Sequence, residues 1–304
     1  HKPVEPLGTG FFKAYMNYID SHDNVDVMLN TRATEILVDE NGKACGVVAT
    51  GETGNTVTVK ASKGVVVATG GFAANVELRS AYNTQWADLG DSIKSTNHAG
   101  ATGDGIKMMQ KLGADFVQMG NIQLLPLGDP VTGSLSGNIE HDVETRIFIN
   151  KEGKRYVNET ERRDVLAAAA LKQTDGIFYI ISSTQNNDLD ENGYNSYGLH
   201  IDDLVAAGEV YRADTLEELA QQLGMDPAVL GESVRKFNEA VTSGYDPEFG
   251  RTVFNTHALI EDFGPYYACP RSPAVHHTMG GVRVDVDTHV LREDGSWIDG
   301  LYAA

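Results

Sequence analysis

Cysteine is the scarcest reactive residue, with only Cys45 and Cys269 in 304 residues. So few, so far apart, exclude a disulfide scaffold and a cysteine metal centre, and they leave the redox compartment undefined. Positive charge is scarce too: 24 Lys and Arg face 43 Asp and Glu, a formal net charge of −19. That sign opposes binding to nucleic acid or to an anionic membrane surface, since both require neutralised phosphates. No apolar run approaches the roughly 20 residues of a helical membrane span. The opening HKPVEPLGTGFF contains no starting Met and no basic stretch before an apolar segment, so the chain is expected to begin inside a longer protein. What is present is ordinary for an α/β protein of about two domains: 41% hydrophobic, 22% charged, with 32 glycines.

Phe11, Tyr15 and Tyr18 at helical spacing predict a helix over 9–21. Strands are expected at 25–29, 34–38, 45–50 and 56–60, the last three an antiparallel meander joined by the Asn41-Gly42 and Thr53-Gly54-Asn55 turns. The run Gly64 to Thr69 ends on Gly70-Gly71 and predicts a strand buried on both faces, its end close to something else. A helix follows Gly103-Asp104-Gly105, and residues 120–145 read as a long irregular segment. Thr215 with Glu218 predicts a capping box, and Asp226-Pro227 predicts a second helix start with Leu230, Val234, Phe237 and Val241 on one face. Val282 to Val286 returns to strand character.

Several candidate sites weaken when their context is read. Gly8-Thr9-Gly10 resembles the start of a dinucleotide fingerprint, but no strand precedes it and the third glycine is missing, which leaves a helix N-terminus. Asp188-x-Asp190-x-Asn192-Gly193 opens like a calcium loop, yet Leu199 stands where the bidentate Glu belongs, so no metal is expected. Lys154-Arg155 and Arg162-Arg163 gather four cations in ten residues, readable either as a functional field or as a helix start balanced by Glu159 and Glu161. His276-His277, between Pro273 and Gly280-Gly281, lacks Cys, Asp or Glu at ligand spacing. In an extended segment the two imidazoles are expected on opposite sides.

Five segments in order carry a family resemblance: Val66-Val-Ala-Thr-Gly-Gly-Phe72, Gly103-Asp104-Gly105, Phe148 to Glu159 with Arg163-Asp164 after it, Val275-His-His-Thr-Met-Gly-Gly281, and Gly300-Leu-Tyr-Ala-Ala304. Together they resemble the FAD-dependent fumarate reductase/succinate dehydrogenase flavoprotein family, which includes flavocytochrome-type fumarate reductases and urocanate reductases. The resemblance implies an α/β fold: part of a glutathione-reductase-type FAD-binding domain at 1–119 and 277–304, with an α+β capping domain inserted at 120–276. It implies FAD as cofactor, with Ala33, Thr69, Gly70, Asp104 and His277 against it. It further implies that His276 binds the substrate carboxylate, that Arg163 donates the proton, and that Glu140 aligns with the acid feeding that donor. No arginine matches the family's relay arginine cleanly.

The family's Gly-rich fingerprint is absent, and the chain stops before the family's later substrate-binding arginine, so this piece alone is expected to hold FAD weakly or not at all. Fumarate-type members have a substrate histidine where this chain reads Gln123-Leu124-Leu125-Pro126. Leu125 there predicts an unsaturated monocarboxylate with an apolar far end, unless Asn138, His141 or Arg146 supplies a second clamp. The implied reaction is reduction of an alkene conjugated to a carboxylate, with hydride from FAD and a proton from Arg163. An arginine acid is demanding, because a guanidinium holds its proton to a pKa above about 12. The partners implied are the small unsaturated acid and an electron-donor protein or domain. The alternatives are a ketosteroid-type flavin dehydrogenase and a non-catalytic capping or binding module.

Overall fold

A computed structural model describes residues 8–140 and 142–304. Along the chain, α1 (Thr9–Asp20) precedes a three-stranded antiparallel sheet of β1 (Arg32–Val38), β2 (Ala44–Thr50) and β3 (Thr56–Lys60), in that spatial order. Then come β4 (Val65–Val67), α2 (Val76–Tyr82), α3 (Asp104–Lys111), β5 (Phe116–Val117) and β6 (Ile122–Gly128). The middle of the chain forms β7 (Phe148–Asn150), α4 (Arg163–Ala170), β8 (Phe178–Ser182), α5 (Ile201–Ala206), β9 (Tyr211–Ala213), α6 (Leu216–Gln222), α7 (Pro227–Ser243) and β10 (Tyr266–Thr278). The chain ends with β11 (Gly281–Val282), β12 (His289–Leu291) and β13 (Trp297–Ala303). This mixture of helices and sheets is the expected α/β class. No helix among the described residues is long and apolar enough to cross a membrane.

Two compact units result. The first comprises Tyr15–Ile93, Asn97–Gln123 and Val275–Ala304; the second, Lys94–Thr96 and Leu124–Ala274 with the first residues of α1. In the first unit, β4 runs parallel to β13, with β12 on the other side of β13. Met108 and Met109 of α3 pack with Ile36, Val65, Val67, Val290, Ile298 and Leu301 in one apolar core. In the second unit the sheet order is β6-β10-β8-β7, and strand alternation sends neighbours to opposite faces. Ile149, Tyr179, Ile181 and Ala268 meet Leu219 of α6 and Leu230, Val234 and Phe237 of α7. On the other face Phe148, Phe178, Ile180, Tyr267 and Cys269 meet Leu166 and Ala170 of α4 and Leu204 of α5. The unit is therefore a sheet with helices on both faces.

The α6 start is as expected: Thr215 and Glu218 complete a capping box, and Asp226 caps α7 with Pro227 in its first turn. Three expectations fail. Residues 25–29 form no strand; Val25, Val27, Met28 and Leu29 are exposed, and β propensity without a pairing partner fixes nothing. β4 buries Val65 and Val67 but leaves Val66 67% exposed, so one face is covered rather than two. The segment 120–145 is not irregular throughout, because it contains β6, whose Pro126 is tolerated in a strand at the edge of its sheet. At the chain's return, only Gly281–Val282 pairs as a strand, with a single bridge from Val284 to Val290, and Val286 is exposed.

Candidate active site

In the first unit the end of β4 and the segment after β10 are tied together. Thr69 is exposed, Gly70 takes φ +69 where a side chain would be strained, and Phe72 then turns inward with its N–H donating to Thr278 Oγ1 at 3.1 Å. Met279 N donates to Asn121 O at 3.0 Å. Next to it, a Cβ on Gly280 would stand 2.4 Å from the backbone of Gln118 and Met119, so only glycine permits the crossing. Thr69, Gly70, Ile106, Met109, Thr278 and Gly280 line a cavity of about 270 Å³. Beside it His276 is half-buried and His277 exposed. Their rings do not point to opposite sides as expected: the centroids are 4.4 Å apart at 71°, an edge contact. Asn97 Nδ2 donates to the His276 carbonyl at 2.7 Å, which anchors the backbone of the pair.

Asp104 opens α3 behind Gly103, and its carboxylate accepts Arg32 Nε at 2.8 Å and Nη2 at 3.0 Å, plus Thr102 Oγ1 at 3.0 Å. The Arg32 hydrogen bonds hold the Asp104 carboxyl below its ordinary range. Arg32, Ala33, Asp104, Lys107 and Lys111 line a hollow of about 810 Å³. The structure thus brings Ala33 and Asp104 to one hollow, and Thr69 and Gly70 to another. Arg32 was not singled out from sequence; its partner lies 72 residues away and no local pattern announces it.

In the second unit Arg163 is the exposed first residue of α4, while Arg162 at the cap pairs with Asp164 at 2.8 Å. Glu140 is buried, its Oε2 accepting Ile139 N at 3.2 Å. Two guanidiniums approach it: Arg146 Nε at 3.7 Å from Oε1, and Arg271 Nη2 at 4.0 Å from Oε2. Leu125 is 5% exposed and belongs to the apolar core with Ile139 and Phe148, so it packs as core rather than lining an open cleft. Of the possible second clamps, Arg146 faces Glu140, and His141 lies outside the described residues.

The cation cluster resolves into two roles. Arg155 is buried and bidentate to Glu159, Nε to Oε1 at 2.9 Å and Nη2 to Oε2 at 2.8 Å, and Nη2 also reaches Asp246 at 2.7 Å. Arg251 Nη1 donates to Glu159 Oε2 at 2.9 Å and to the Arg146 carbonyl at 2.7 Å, while Nη2 holds the Glu144 carbonyl and Nε that of Val253. Phe237 lies beside both guanidiniums, with Phe249 against Arg155 and Phe254 against Arg251. This network is a scaffold, and through the Arg146 carbonyl it fixes the segment that carries Arg146 to Glu140. The Asp188–Gly193 loop closes on itself, Asp190 Oδ1 accepting the amides of Asn192 and Tyr194 at 2.9 Å.

The profile of the FAD binding domain family matches residues 5–304. The chain belongs to that family. It is 39% identical over its whole length to NADH:acrylate oxidoreductase from Vibrio harveyi, covering 29% of that protein. It is 40% identical to urocanate reductase from Eggerthella lenta over 92% of this chain and 45% of the relative. The open conformation of a flavocytochrome c3 fumarate reductase superimposes with a TM-score of 0.78 at 29% identity, covering all of this chain and 51% of that one. The chain spans half or less of the length of these relatives. The first unit offers features that suit FAD: a hollow where three cations, Arg32, Lys107 and Lys111, face two carboxylates, Asp104 and Glu52, a locally positive balance in a strongly acidic protein, and a glycine-lined cavity with apolar Ile106 and Met109 for a flat ring.

Proposed function

We propose that this chain forms the FAD-binding and capping parts of a reductase that saturates the C=C bond of an α,β-unsaturated carboxylate. The first unit would be the flavin domain and the second the cap. The observation that carries the reading is similarity along the whole chain to acrylate and urocanate reductases, joined to the fit of the first unit to FAD. Bound FAD would supply hydride to the β-carbon. Thr69, Gly70, Ala33, Asp104 and His277 would hold it. His276, anchored by Asn97, would clamp the substrate carboxylate and withdraw charge as the alkene accepts hydride.

Arg163 would then give a guanidinium proton to the α-carbon. Because a neutral guanidine is a strong base, it would recover a proton at once, and Glu140 is the buried group suited to return it. The substrate class favoured is a monocarboxylate, since among the described residues the candidate second cation, Arg146, already faces Glu140. An electron-donor domain or protein would reload the flavin. The test is steady-state turnover of the protein containing this chain, FAD-loaded, with a reduced viologen and a series of acrylate, aryl acrylates, urocanate and fumarate. Turnover of at least one monocarboxylate above fumarate is expected. Failure to reduce any member of the series would sink the reading.

A further inference from the structure

Arg271 has no role in the reading above, and its position is costly. It sits on the same side of β10 as Tyr267 and Cys269, four and two residues earlier, and both of these lie in the apolar core. Its side chain is fully buried, as is that of Glu140 to within 2%. A charge on the core face of a sheet is retained only with a partner, and an apolar residue would pack there at lower cost. Its Nη1 donates to the carbonyl of Pro270 at 3.0 Å, while Nε and Nη2 make no hydrogen bond among the described residues. Opposite, Glu140 Oε1 and Arg146 Nε are likewise uncommitted. Two guanidiniums therefore flank one carboxylate, near enough for charge pairing but not locked by hydrogen bonds. The phenol of Tyr197 and the thiol of Cys269 are the other titratable groups in this field.

The same core leads to the proton donor. Arg163, Leu166 and Ala170 share one face of α4 at i, i+3 and i+7, and Leu166 and Ala170 are buried in the cluster that contains Ile139 and Cys269. We infer that Arg271 is a positioning residue for the proton supply: a buried cation that holds Glu140 as a carboxylate aimed towards the α4 side of the core. Glu140 would take a proton from solvent, hand it to the neutral guanidine of Arg163 after that has protonated the α-carbon, and return to its carboxylate form. No net oxidation occurs in the relay. Uncommitted donors and acceptors let the carboxylate change partners, which a fully hydrogen-bonded pair would resist.

This inference rests on the reductase reading, and its test separates the two. In the flavin-loaded protein containing this chain, Arg271→Met should lower kcat about tenfold or more with KM within about twofold. The solvent isotope effect on kcat should rise, because proton return becomes limiting. Infrared difference spectra at neutral pH should show a protonated carboxyl band in Arg271→Met that is absent from the wild type and from Arg271→Met/Glu140→Gln. That double variant should be no slower than Glu140→Gln alone, and Arg271→Lys should recover most of kcat. If Arg271→Met does not fold, Arg271→Gln gives the same readings with polar volume retained. Wild-type kcat in a folded Arg271→Met or Arg271→Gln, additive losses in the double variant, or no Glu140-dependent band overturns the inference. Wild type inactive on every unsaturated acid would overturn the reductase reading, while the infrared band would still decide whether Arg271 sets the charge of Glu140.

Discussion

Replacing Glu159 with glutamine should destabilise the second unit severely while changing its shape by a single atom. Glu159 is 0% exposed and accepts four hydrogen bonds: Phe148 N at 3.2 Å, Arg155 Nε at 2.9 Å, Arg155 Nη2 at 2.8 Å and Arg251 Nη1 at 2.9 Å. Three of these are charge-assisted, each contributing about 1.5–3 kcal/mol. The substitution leaves two buried guanidiniums with Asp246 as their remaining carboxylate, and it turns one acceptor oxygen into an NH2 facing a donor. Breaking a buried pair by removing one partner costs about 3–5 kcal/mol, and here one carboxylate serves two pairs, so the upper part of that range is expected. Against a typical domain stability of about 5–15 kcal/mol this is a large fraction. Urea unfolding followed by far-UV circular dichroism and by near-UV signals of the second unit's tyrosines would report it as a lower midpoint at similar slope, since both tryptophans, Trp86 and Trp297, lie in the first unit. A loss below about 1 kcal/mol would refute the view that the network holds the unit together.

Acid should weaken the same network. Burial of Asp246 is the largest single influence and opposes its charge, but the hydrogen bond and charge of Arg155 together with the backbone amides of Glu248 and Phe249 outweigh it and hold the carboxyl below the ordinary value of 3.8. A carboxyl lower in the folded than in the unfolded state stabilises fully above the unfolded value, and that contribution disappears as pH falls through the folded value; unfolding midpoints should therefore drop below about pH 4, less so in Asp246→Asn. Cys269 is buried and its thiol is pushed up to about 12 by desolvation, so a thiol reagent should label half-buried Cys45 and reach Cys269 only on unfolding. Labelling of native Cys269 at the same rate would contradict the packing. Arg163→Ala in the flavin-loaded protein should lower kcat by about 10²–10⁴ with a modest change in KM, whereas normal turnover of the native substrate would show that the acid lies elsewhere.

Local signals proved legible wherever the deciding interaction is itself local. Thr215 with Glu218, and Asp226 with Pro227, announce helix starts because the capping groups lie within three residues of the amides they satisfy. The β1-β2-β3 meander was readable because short turns set its register. β6 was missed for the opposite reason. Its Pro126 argues against a central strand, and only the sheet order, unreadable from sequence, makes it an edge where proline fits. Residues 25–29 show the converse error: β propensity was present, but no partner pairs with it among the described residues.

The same distinction divides the site residues. Gly70 and Asp104 stand out because a glycine turn and a helix start mark them in sequence, and the structure gives Gly70 a left-handed φ of +69 and places Asp104 in the first turn of α3, held by Arg32 and Thr102; Thr69 is marked only by its place before the glycines. Arg32, Arg251 and Arg271 carry no such mark. Each acts on a residue 72, 92 or 131 positions away, and an isolated arginine in sequence is read by default as a solvated surface charge. In an acidic chain that default is strongest, which is why Arg155 was weighed with its exposed neighbour Lys154 and not with Glu159. Yet the acidity sharpens the inference once burial is known: with 24 cations to 43 acids, few arginines are available for the interior, and full burial of Arg251 and Arg271 places each beside a buried glutamate. Glu159 is saturated with hydrogen bonds and therefore rigid, whereas Glu140 sits at 3.7 and 4.0 Å from its cations with an oxygen uncommitted. Two buried carboxylates in one unit thus differ in the freedom of their partners, and the proposed proton relay uses the loosely held one.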